Sequence, residues 1–145
     1  MRKYTIIPQE GDNLCVCSAL QAIFKRHGVV YTQEQIASEL TPSQYGFHID
    51  DLVIVEFMRK NGFKYSYFYW NTTPFNEPDM LLRSMNENDG VIGVNYHAFI
   101  LNRFEDPILE LINPANCRVR TKSIYKLLED MRKKGGVFGL IERLQ

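Results

Sequence analysis

A thiol, an imidazole and a carboxamide are the residue types in this chain that could together attack an amide carbonyl. Cys15 falls in the first turn of segment 15–27, where Cys15, Ala19, Leu20, Ile23 and Phe24 recur at helical spacing. A thiol at a helix N-terminus meets unpaired N–H groups and partial positive charge, which favour the nucleophilic thiolate. Taken alone the position says little, because a buried cysteine packing as a small hydrophobe is the commoner case. The base must be His27, His48 or His97. His27 lies ~18 Å along the same helix from Cys15, beside Lys25 and Arg26, where a cation complements the helix C-terminus. His48 precedes a third helix in a loop and reads as a local cap. His97 opens an apolar strand directly after the polar pair Asn95-Tyr96.

The segments 97–103 and 108–113 flank Phe104-Glu105-Asp106-Pro107 and read as a hairpin. Folding symmetrically about Glu105 sets His97 opposite Asn113, and directly opposed Cβ atoms lie about 4.5–5.5 Å apart. The Asn113 carboxamide then accepts from one ring nitrogen and leaves the other for a thiol. The bland alternative is that Asn113-Pro114 only ends a strand. Gln9, six positions before Cys15, can aim its amide at the same oxyanion as the Cys15 backbone N–H. By itself Gln9 reads as a polar loop residue.

The elements that must position these groups are legible in outline. The first helix stops at Gly28. A second spans about Gln33–Leu40, with Thr32 and Gln35 as a capping box and Tyr31 and Ile36 as a hydrophobic staple. A third, about Asp50–Lys60, opens on two acidic residues and closes at Asn61-Gly62. Phe63–Trp70 (FKYSYFYW) reads as a half-buried strand, with Tyr65, Tyr67 and Trp70 able to line a substrate groove. Pro78–Met85 reads as a short helix, and Val91–Val94, His97–Arg103, Ile108–Asn113 and Val137–Ile141 as strands. A last helix, about Ile124–Lys133, is capped by Ser123 and stopped by Gly135-Gly136. Helices first and mostly antiparallel strands second is the α+β pattern.

Length and composition bound the rest. The chain has 145 residues and suits one domain, 1–145, able to bury roughly 70% of the surface its unfolded chain exposes. With 17 basic and 17 acidic side chains the net charge is zero, which removes the footprint of a general nucleic-acid binder. No apolar run is long enough to span a bilayer, and MRKYTIIPQEGDN is not a secretory signal, so the expected location is the cytoplasm. Three cysteines, Cys15, Cys17 and Cys117, fit free thiols in a reducing compartment better than a disulfide framework.

QEGDNLCVCSALQAIFKRHG resembles the opening of papain-like cysteine peptidases, most of all the bacterial C39 and C39-like branch. TQEQIASEL and YGFHIDDLVIVEFMRKNGF are similar to that family's next two helices and their loop. VIGVNYHAFIL resembles its catalytic-histidine strand, and ELINPA the strand ending in Asp-Pro. The likeness runs over nearly the whole chain in the family's order. It implies a papain-like fold with an N-terminal helical half packed on a mostly antiparallel sheet. It also implies Cys15 as nucleophile, His97 as base and acid, Asn113 as the residue orienting His97, and Gln9 as oxyanion donor. Two residues depart from the pattern. Val16 stands where the family usually has Gly, and Asn113 replaces an Asp, so the orienting group is neutral.

Cys17 competes for the nucleophile's role, but it sits about 200° around the helix from Cys15. Spacing from Gln9 and to Gly28 favours Cys15, leaving Cys17 to the core and Cys117 to packing near the hairpin's end. A zinc site is disfavoured because C-x-C lacks the usual ligand spacing, so neither metal nor cofactor is expected. Gly135-Gly136 resembles the double-glycine cleavage site of some C39 substrates but is better placed as a helix C-cap. The expected function is a stand-alone cysteine peptidase or amide hydrolase acting on a peptide or protein. The alternatives are a transamidase or deamidase, and a non-catalytic peptide-binding domain.

Overall fold

The computed structural model describes residues 2–41, 49–71 and 78–145; His48, read above as a local cap, lies outside them. Among these residues, five helices and six strands follow in the order α1 (Cys15–Arg26), α2 (Gln33–Leu40), α3 (Asp51–Lys60), β1 (Phe63–Tyr69), α4 (Pro78–Glu87), β2 (Asp89–Val94), β3 (His97–Glu105), β4 (Ile108–Ile112), β5 (Val119–Ser123), α5 (Ile124–Lys134) and β6 (Gly136–Arg143). The strands form one sheet in the order β1-β6-β2-β3-β4-β5, with every neighbouring pair antiparallel.

Local chemistry explains the boundaries. The Thr32 hydroxyl accepts from the Gln35 N–H, and the Gln35 side chain accepts from the Thr32 N–H, so the capping box is complete. Asp50 caps α3 by accepting from the Leu52 N–H, and Ser123 caps α5 by accepting from the Lys126 N–H. Gly135 ends α5 at φ +83, a conformation that costs a residue without a Cβ nothing.

Side chains alternate across the sheet to build two apolar clusters. Cys17, Leu20, Ile23 and Phe24 of α1 pack with Ile36, Phe57, Phe63, Ile100 and Ile141 on one side. Leu81, Leu82 and Met85 of α4 and Leu127 and Met131 of α5 pack with Ile92, Leu101, Leu109 and Phe138 on the other. The N-terminal helices thus cover one face, as expected, and the later helices cover its reverse.

Two expectations need correction. The β3–β4 hairpin is not symmetric about Glu105. Only Asp106 and Pro107 lie between the paired Glu105 and Ile108, and the register shifts again between Leu101 and Arg103, with Asn102 at the irregularity. His97 is therefore not directly opposite Asn113 in the ladder. Strand β5 went unread, because its sequence VRTKS is partly exposed throughout and carries no apolar alternation.

Candidate active site

The first turn of α1 presents Cys15 with little competition for its N–H groups. Leu14 occupies the N-cap without a side-chain hydrogen bond, and no acidic residue lies in the first turn. Cys15 is fully buried yet belongs to neither apolar cluster. Burial pushes its thiol above the ordinary range, opposed by hydrogen bonds to the backbones of Ala98, Val16 and Cys15 itself. Those three act in the direction expected of donors to a thiolate. Desolvation is the largest of these effects, so on balance the thiol is raised rather than lowered. Ala98, the residue after His97, brings β3 against Cys15.

His97 Nε2 lies 2.7 Å from Asn113 Oδ1. The expected His97–Asn113 contact forms, in a different register from a hairpin symmetric about Glu105. Asn113 follows the last ladder residue, Ile112, and its side chain meets His97 on a diagonal rather than across the strands. The Ala115 N–H also donates to Asn113 Oδ1, at 2.9 Å. An atom receiving a backbone N–H must be the carboxamide oxygen, so His97 Nε2 must carry a proton and donate to it. In the neutral imidazole, Nδ1 then holds the lone pair and is the basic nitrogen. The corner itself is fixed by the Cys117 N–H donating to the Asn113 carbonyl at 2.7 Å and the Asn113 N–H donating to the Arg118 carbonyl at 3.0 Å.

Gln9 reaches the same corner through its backbone, its N–H donating to the Pro114 carbonyl at 2.8 Å. Its side-chain amide donates to the Gly11 carbonyl at 3.0 Å. Its Oε1 is buried without a partner among the described residues. Composition and spacing had not marked Gln33, which holds this segment in place. Fully buried on α2, it accepts from the Glu10 N–H and donates to the Pro8 carbonyl and to Gln21 Oε1. Ser18 adds a hydrogen bond to the Ile7 carbonyl at 2.6 Å. A polar residue at an otherwise apolar position of a short helix is the signal that could have found Gln33.

The other thiols and histidines go elsewhere. Cys17 is fully buried in the α1 cluster, and burial pushes its thiol up to about 12. Cys117 is half-buried on the turn after Asn113, at φ +60. His27 caps the C-terminus of α1, and its Nε2 lies 2.7 Å from the buried carboxylate of Asp89. Among the described residues no cluster of three histidine, cysteine or carboxylate side chains could hold a metal ion.

A cavity of about 630 Å³ opens beside His97. Its walls include Val16 and Leu20 of α1, Ile54 of α3, and Tyr65 and Tyr69 of β1. Cys15 is not in the wall; its chain neighbour Val16 is. Tyr65 and Tyr69 both donate to the Asp51 carboxylate, at 3.1 and 2.9 Å. Of the aromatic residues expected to line a groove, Tyr65 does so. Trp70 packs instead toward the opposite cluster, as strand alternation requires.

The fold is similar to that of solved C39 peptidase domains. The chain is similar in structure to a double-glycine-motif protease from an AMS/PCAT transporter, solved with its leader peptide (TM-score 0.70, 16% identity, covering 98% of this chain and 94% of that one). It is similar to the peptidase domain of Streptococcus ComA, a bifunctional ABC transporter in a quorum-sensing pathway (TM-score 0.69, 18% identity, covering 98% and 99%). A C39-like peptidase from Bacillus anthracis gives TM-score 0.70 at 11% identity, covering 97% and 96%. No family model and no curated relative matches the sequence.

Proposed function

We propose that this protein is a cysteine peptidase in which Cys15 is the nucleophile, His97 the general base and acid, and Asn113 the residue that orients His97. The observation that carries the reading is the pair of hydrogen bonds on Asn113 Oδ1, which leave His97 Nδ1 as the basic nitrogen, on a strand whose next residue, Ala98, meets Cys15. The C39 architecture supports it. Nδ1 takes the proton of the Cys15 thiol as Sγ bonds to the substrate carbonyl carbon. The oxyanion is met by the Cys15 backbone N–H and the Gln9 side-chain amide. The proton then passes from His97 to the leaving amine as the C–N bond breaks. Water, deprotonated by His97, hydrolyses the thioester and returns the thiol. A raised resting thiol fits this order of events, with the proton moving as the substrate arrives rather than before.

The substrate is a peptide or protein segment able to enter the cavity beside His97, and neither metal nor cofactor takes part. With no helix among the described residues long and apolar enough to cross a membrane, the reading needs no bilayer. A proteome-derived peptide mixture, incubated with the wild type and with Cys15→Ala and scored by mass spectrometry, tests the reading. New peptide termini that disappear in Cys15→Ala are the expected result. Side-chain deamidation or amine adducts without new termini would replace the peptidase with a deamidase or transamidase. Unaltered peptides that nonetheless co-purify with the protein would replace it with a binding domain.

A further inference from the structure

The connection between β2 and β3 breaks a local rule beside the candidate base. Val94 pairs with His97, so Asn95 and Tyr96 form a two-residue hairpin loop. Their φ values are +50 and +63, the left-handed pair of a type I′ turn. Asn-Gly is the favoured sequence there. Asn tolerates the first position, but a Tyr at the second carries a Cβ into left-handed space, at a cost on the order of 1–2 kcal/mol. Tyr96 recovers little of this by burial, because its side chain is 61% exposed. It is one of the residues lining the cavity, adjacent in the chain to His97.

We propose that Tyr96 is a specificity-determining residue that touches the substrate. Its ring closes the rim of the cavity over an apolar side chain of the peptide next to the bond being cut. Strain of this kind persists where function over-determines the backbone, and a large flat ring at a cavity mouth supplies contact area with few rotatable bonds. Val16, Leu20, Ile54 and Val137 give the cavity an aliphatic part that suits an apolar side chain, beside a polar part that includes Asp50, Asp51 and Lys134. The inference rests on Cys15 being the nucleophile, and the use of two alkylating reagents separates its failure from the failure of that reading.

Cys15 is alkylated with two reagents, iodoacetamide and benzyloxycarbonyl-Phe-Ala chloromethyl ketone, in the wild type and in Tyr96→Gly, Tyr96→Phe and Tyr96→Ala. Each rate is followed by mass spectrometry of the labelled peptide. The ratio of the peptidyl rate to the iodoacetamide rate cancels changes in the thiol itself. The proposal expects that ratio to fall about tenfold in Tyr96→Gly, a loss of ~1.4 kcal/mol in contact, and to be kept in Tyr96→Phe. It also expects Tyr96→Gly to melt at a higher temperature than the wild type, because glycine relieves the turn. A merely structural Tyr96 would give an unchanged ratio, and that result overturns the proposal. A wild type that shows no preference for the peptidyl reagent overturns it as well. The iodoacetamide rate alone reports whether Cys15 is reactive.

Discussion

At the residue scale, the reading depends on two side chains whose environments pull in opposite directions. The Asn113 carboxamide is held by the Ala115 N–H, so it orients His97 without adding charge. Asn113→Ala removes that acceptor and frees the ring to rotate. Peptide hydrolysis should then lose kcat with KM little changed, and by less than the ~10²–10⁴-fold loss expected of His97→Ala. Asn113→Asp should retain more activity than Asn113→Ala, since a carboxylate oxygen can occupy the same position; steady-state kinetics on any peptide that is cut would check both. Val16 is the second case. It lines the cavity while Cys15 behind it is fully buried. Val16→Gly should speed alkylation of Cys15 by iodoacetamide several-fold, at about 1 kcal/mol in helix stability. An unchanged rate would mean that reagents reach the thiol by another path.

At the element scale, two hydrogen-bond networks hold the N-terminal segment against the helices and the sheet. Gln33 bonds the backbone on either side of Gln9, and Asp89 at the start of β2 gathers Tyr4, Arg26 and His27 around one buried carboxylate. Asp89→Ala leaves these partners unmatched, and should lower unfolding stability by about 3–5 kcal/mol in urea titrations. Gln33→Ala should instead loosen Gln9, reducing peptide turnover more than it reduces Cys15 alkylation. These networks also mark how far the sequence could be read. The capping box of α2, the glycine that ends α5 and the first turn of α1 were legible because each is encoded within a few residues. Register was not, because Asp106 and Pro107 make a tighter connection than symmetry about Glu105 assumes and a bulge at Asn102 shifts the ladder again. The His97–Asn113 contact survived that error because it is diagonal and lies beyond the last pair. β5 was hidden by its exposure, and the buried Asp89 cluster by the distance in sequence between its members.

At the scale of the whole molecule, the titration of buried groups sets the response to pH. Burial, with Asp89 and Asp51 as neighbours, raises the Tyr4 and Tyr65 hydroxyls, and burial raises the Cys17 thiol to about 12. All three have higher values folded than unfolded, so the unfolded chain releases its protons first as pH rises. Their contribution to stability is complete below the ordinary thiol range and is lost progressively through alkaline pH. The urea midpoint should therefore drop between about pH 8 and about pH 10.5, where unfolded thiols and phenols ionise; an equal midpoint would contradict the burial of these groups. The Cys15 thiol is also raised, and its helix-terminal position could not reveal this, since desolvation is a property of the assembled fold. The most direct test of the central claim follows from that difference between thiols. Iodoacetamide labelling of the native protein, mapped by mass spectrometry across pH in the wild type and in His97→Ala, should modify Cys15 and not Cys17. The Cys15 rate should climb with pH and fall about tenfold at neutral pH without His97. Labelling confined to Cys117, or a Cys15 rate indifferent to His97, would contradict the assignment of nucleophile and base.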